Sequence, residues 1–76
     1  MKEFIEYIIS NLVDNPDQVE VNEVASANVI IFEIKVLKSD IGKIIGKKGM
    51  TINAIRTIIY TLASKNNMRV TLHIVE

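Results

Sequence analysis

The sequence contains no cysteine, no tryptophan and a single histidine, His73. Without cysteine there is no disulfide framework, no thiol nucleophile and no thiolate metal site. A secreted domain this small would normally need disulfides, so a reducing cytoplasm is the expected compartment. One histidine cannot build a histidine metal site, and no carboxylate cluster lies near His73 in sequence to make it an acid–base catalyst. The chain is therefore expected not to be an enzyme and to need no cofactor.

Long apolar runs are also missing. None approaches the ~20 residues that span a bilayer, so no membrane insertion is expected. The first stretch, MKEFIEYIISNLV, is broken by Glu3 and Glu6, which does not read as a signal peptide. Aromatic residues are scarce: Phe4, Tyr7, Phe32 and Tyr60 are all there are. Nucleic-acid readers that stack bases on aromatic platforms are disfavoured by that scarcity. There is no net charge at neutral pH.

The distribution of charge is less bland than its sum. Residues 1–34 hold one lysine against seven carboxylates, a net −6. Residues 35–75 hold eight cations against Asp40 alone, a net +7. A basic half is an electrostatic footprint for phosphate, and the acidic half restricts which face could meet it.

With 76 residues, 49% of them hydrophobic, the chain reads as one folded domain, 1–76. Residues 2–13 carry Phe4, Ile5, Ile8, Ile9, Leu12 and Val13 at the spacing of one helical face. Asp14-Asn15-Pro16-Asp17 ends that helix, since the residue before proline avoids helical backbone. Residues 18–25 begin as an alternating strand with Val19 and Val21 inward, and Val24 falls out of phase, which predicts a bulge or an early end. Residues 29–37 form a second strand with Ile30, Phe32, Ile34 and Val36 on one face. The short connection predicts an antiparallel hairpin.

Ser39-Asp40 reads as a helix N-cap before a short helix, 40–46. A longer helix follows from about Thr51 to Ala63, with Ile52, Ile55, Ile59, Leu62 and Ala63 as its inward stripe. Ala54 and Ile58 widen that apolar arc beyond what one sheet should cover, so both are candidates for a dimer interface. Residues 68–75 close the chain as a strand with Met68, Val70, Leu72 and Ile74 inward.

Between the last two helices stands Gly46-Lys47-Lys48-Gly49. A glycine at each end of a two-lysine turn lets the backbone reverse without a Cβ clash, and leaves bare N–H groups beside two ammonium groups. That combination suits a sugar–phosphate chain. The stretch is not a P-loop, because G-x-x-x-x-G-K is not met and no Ser or Thr follows Lys48. Nor is it a G-x-G-x-x-G dinucleotide loop.

Residues Ile44 to Ile52, IIGKKGMTI, match the apolar-Ile-Gly-x-x-Gly-x-x-Ile core of KH RNA-binding domains, whose G-x-x-G loop clamps four backbone nucleotides. The element order α-β-β-α-α-β is that of the type II, prokaryotic KH fold. A leading amphipathic helix, then LVDNPDQVEV over residues 12–21, then the glycine loop, resembles the KhpA family of small bacterial KH proteins.

The resemblance implies an α+β domain with a three-stranded sheet covered by helices on one face. It implies single-stranded RNA as ligand, a homodimer, and pairing with KhpB, a larger KH-containing protein linked to cell elongation and so to cell shape. On the motif, Gly46 and Gly49 would let the backbone approach the ligand. Lys47 and Lys48 would neutralise phosphates, with Lys43 extending the contact to roughly three or four phosphates. Ile41, Ile44, Ile45 and Ile52 would line an apolar groove for the bases, with Ile34 and Val36 supporting its far wall.

Two rival readings remain open on the residues. One is a DNA-binding helix-turn-helix that reads bases with Asn53, Arg56 and Thr57. The other is a protein-interaction module that binds no nucleic acid.

Overall fold

The computed structural model describes residues 1–75. Three helices and three strands follow in the order expected: α1 (Lys2–Ser10), β1 (Glu20–Ser26), β2 (Val29–Lys35), α2 (Ile41–Ile45), α3 (Met50–Lys65) and β3 (Arg69–Val75). Short 3-10 turns occupy Pro16–Gln18, Lys38–Asp40 and Lys47–Gly49. None of the described helices is long and apolar enough to cross a membrane.

Helix α1 stops three residues earlier than the apolar spacing predicts. Asn11 is the reason. Its side-chain amide donates to the Tyr7 carbonyl at 2.7 Å, and its backbone N–H is shared between the Tyr7 and Ile8 carbonyls. An asparagine that satisfies last-turn carbonyls offers the backbone an alternative to further helix. Burial nevertheless continues past the end: Ile5, Ile9 and Val13 all join the core. Phe4, expected on the inner face, is exposed, while Ile8 and Leu12 are half-buried.

Strands β1 and β2 pair antiparallel from Glu20–Lys35 to Ser26–Val29, joined by the two-residue turn Ala27-Asn28. The ladder is continuous, so the bulge expected at Val24 does not form. Val24 instead points to the uncovered face, where it is exposed opposite Ile31. A cross-strand apolar pair of this kind keeps the register without a core above it. Strand β2 ends at Lys35, two residues short of the expected boundary.

Strand β3 pairs with β2 in parallel, giving the sheet order β1-β2-β3. Parallel neighbours need a crossover, and α2 and α3 supply it. Helix α1 packs on β1, and α3 packs on β3 and α2. All three helices meet one face of the sheet, and a single core unites Ile5, Ile9, Phe32, Ile34, Ile44, Ile55, Ile59 and Leu72. Met68, expected inward, precedes β3 and is exposed.

Candidate nucleic-acid interface at the Gly46 to Gly49 turn

The helix that leads into the turn is anchored at its start by an aspartate. Asp40 is 1% exposed, the only charged side chain in the core among the described residues. It was expected to cap α2, but its carboxylate makes no cap bond there. It accepts instead from three donors in the loop after α1. Asp14 N–H donates to Oδ1 at 3.3 Å, and Asn15 donates to Oδ2 through its backbone N–H at 3.2 Å and its side-chain amide at 3.1 Å. Withdrawal from water pushes the Asp40 carboxyl upward. The Asn15 amide, the two backbone donors and Lys43 outweigh that effect and leave its pKa below the ordinary 3.8. No local sequence signal marks this role, because the donors lie 25 and 26 residues away.

Asp40 thus pins the loop 14–15 to the start of α2, whose five residues lead straight into the glycines. Ile44 anchors α2 in the core. The helix closes with Gly46 N–H donating to the Gly42 carbonyl at 2.9 Å. Gly46 then adopts φ 74°, ψ 174°, a region essentially reserved for glycine. Lys48 and Gly49 are left-handed as well, at φ 55° and 74°. Gly49 N–H returns to the Gly46 carbonyl at 3.1 Å, closing a tight reversal.

Two consequences follow for charge. The side chains of Lys47 and Lys48 stand exposed at the tip, and neither joins an ion pair among the described residues. Directly behind them α3 begins without a side-chain cap, Met50 N–H donating back to the Lys47 carbonyl, so the positive end of a 16-residue helix lies at the turn. Lys43 differs from the other two. Its Nζ lies 3.1 Å from Asp14 Oδ2 in the one ion pair among the described residues.

The apolar residues expected beside the turn divide by burial. Ile34 and Ile44 have no exposed surface, and Ile52 and Val36 are nearly as deep. Ile34 and Ile44 therefore cannot touch a base; they form the core beneath the site. Ile41 and Ile45 are half-buried and offer the accessible apolar surface. Two shallow depressions of about 390 and 530 Å³ lie elsewhere, around Tyr60, Met68 and Arg69 and around the β1–β2 turn. Neither is lined by a residue of the Gly46–Gly49 turn.

Along α3, Ala54 is exposed and Ile58 is 47% exposed. Leu62, expected in the inward stripe, is exposed beside them at the same i, i+4 spacing. Of the three side chains that a helix-turn-helix would offer to bases, two are engaged within the fold. Arg56 Nη2 donates to the Leu72 carbonyl at 3.4 Å, and Thr57 Oγ1 donates to the Asn53 carbonyl at 3.0 Å. His73 sits exposed on the open sheet face, paired in register with Glu33.

Comparison with known proteins agrees with this geometry. The family model described as KhpA/KhpB, KH domain, matches residues 2–74. The chain is 58% identical over 76 residues to a protein of Chlamydia pneumoniae named RNA-binding protein KhpA, covering all of this chain and 97% of that one. It is 48% identical over 75 residues to the protein of that name from Clostridium acetobutylicum, covering 99% of this chain and all of the other. With the protein of that name from Borreliella burgdorferi the identity is 43% over 74 residues, covering 97% and 90%. No solved structure gives a significant match. A full-length family match, whole-length relatives and a glycine turn set between two helices on a mixed three-stranded sheet lead to one conclusion: the chain belongs to the KhpA/KhpB family of KH domains.

Proposed function

We propose that this protein binds single-stranded RNA at the Gly46–Gly49 turn. The observation that carries the reading is the turn itself. Its three positive-φ residues present two lysines, neither in an ion pair among the described residues, at the N-terminus of α3, which has no side-chain cap. A helix dipole and two ammonium groups stand at the same turn, which is the positive charge a phosphate requires. The relatives are themselves named RNA-binding proteins, which supports RNA over DNA.

Ile41 and Ile45 give unstacked bases an apolar surface beside the phosphate site, which favours single strands over duplex. With so few aromatic platforms, one domain binds weakly and with loose sequence choice. Self-association through Ala54, Ile58 and Leu62 would add a second RNA site and raise affinity by avidity. A KhpB-type protein is the proposed heterologous partner, on the family name. The protein acts by binding in the cytoplasm, not by catalysis.

The test is the double variant Lys47→Asp, Lys48→Asp. Both side chains are exposed at a tip, so stability should change by no more than about 0.5 kcal/mol. Binding to a short single-stranded RNA, read by fluorescence anisotropy, should be lost while the circular dichroism spectrum is kept. Undiminished affinity in a folded double variant would remove the turn as the binding site.

A further inference from the structure

Lys43 stands one turn before Gly46, yet it faces a carboxylate. Its Nζ is 3.1 Å from Asp14 Oδ2, and both side chains are open to water, 44% and 74% exposed. A pair between two freely moving surface chains would be weak. Asp14 is not free to move at its backbone. Its N–H donates to buried Asp40, and so do both nitrogens of its neighbour Asn15. Asp40 itself opens the segment that carries Lys43. The loop after α1 is thereby stapled to α2 with the Asp14 carboxylate beside the lysine, and little backbone entropy remains to be lost in making the pair.

We propose that Asp14 limits RNA binding by occupying Lys43 on the α2 side of the turn. Resting on RNA binding at the Gly46–Gly49 turn, this inference names the residue that sets where the phosphate track ends. A phosphate approaching Lys47 and Lys48 meets two unpaired ammonium groups. The next phosphate along α2 meets a lysine already paired with Asp14, and must displace that carboxylate to reach it. Asp14 is thus a positioning residue, acting through Lys43 and touching no ligand itself.

The experiment measures affinity for a short single-stranded RNA against salt in four proteins: the wild type, Asp14→Asn, Asp14→Asn with Lys43→Gln, and Asp17→Asn. Asp14→Asn keeps the backbone N–H that Asp40 accepts, so the staple survives, and circular dichroism checks it. Asp14→Asn should bind RNA more tightly, by up to about fivefold at low salt. Its plot of log K against log salt should steepen by about 0.7, one phosphate more for a single strand. Adding Lys43→Gln should return both values to wild type. Asp17→Asn removes a charge from the same loop without freeing Lys43, and should keep the wild-type salt slope.

No gain in Asp14→Asn, a gain that survives Lys43→Gln, or an equal steepening in Asp17→Asn would each overturn the role of Asp14. Those outcomes leave binding at the turn intact as long as the Lys47, Lys48 double variant still loses RNA. A wild type with no RNA affinity removes both proposals together.

Discussion

A Cβ on Gly46 would lie 2.7 Å from the Cβ of Thr51 and closer still to its hydroxyl oxygen. Thr51 sits in the first turn of α3. The first glycine of the turn is therefore compelled twice, by its own backbone angles and by the helix that follows. Gly49 is compelled once: a Cβ there would meet only the Asn53 amide, at 3.7 Å.

That asymmetry sets the first prediction. Gly46→Ala should cost at least about 2–3 kcal/mol, because a disfavoured backbone region and a steric overlap act together. Gly49→Ala should cost about 1–2 kcal/mol, the left-handed penalty alone. Urea unfolding of both variants measures the difference. Equal losses would mean that α3 shifts readily away from Gly46.

The salt dependence of RNA binding counts phosphates. With Lys47 and Lys48 each neutralising one, log K against log salt should slope by about −1.4 in the wild type. Fluorescence anisotropy at several salt concentrations gives the slope. A flat response would show that the turn lysines are not the contact surface.

Stability in acid should report on Asp40. Its carboxyl titrates below its ordinary value of 3.8 in the folded protein. The charged form is thus favoured by folding, so its contribution is complete above the unfolded pKa. It fades as pH falls through the lower, folded pKa. Asp40→Asn should be less stable than wild type near neutral pH, since one acceptor oxygen becomes an NH2 group that must face a donor of the loop 14–15 in either orientation. The gap should narrow as pH drops below about 4. Urea unfolding across that range tests it, and a gap that stays constant would assign the acid response to other carboxylates.

Ile58 is 47% exposed, with Ala54 and Leu62 exposed one turn to either side. If this stripe carries self-association, Ile58→Lys should convert a dimer to a monomer with an unchanged circular dichroism spectrum. Sedimentation equilibrium decides it. A wild type that is monomeric at high concentration removes the idea, and a variant that still dimerises moves the interface elsewhere.

What the sequence by itself determined was whatever depends on near neighbours. Helix and strand order followed from periodicity, because side-chain spacing along the chain decides which face can be buried. The turn was legible because Gly-Lys-Lys-Gly between two apolar helices leaves the backbone few ways to reverse. The tertiary structure decided what depends on residues far apart in sequence. Asp40 looked like a helix cap until Asn15, 25 residues earlier, came within 3.1 Å. Lys43 looked like a free phosphate ligand until Asp14 reached it. Val24 looked like a bulge because alternation cannot tell a broken ladder from an apolar residue on an uncovered face. Leu62 looked buried because a helical stripe shows which residues share a side but not how wide a strip the sheet covers. Ile44 looked like groove lining, and Ile34 like support for the far wall, because periodicity marks an apolar face and not its depth. Apolar character draws a side chain out of water, and only packing in three dimensions settles whether protein or ligand lies against it.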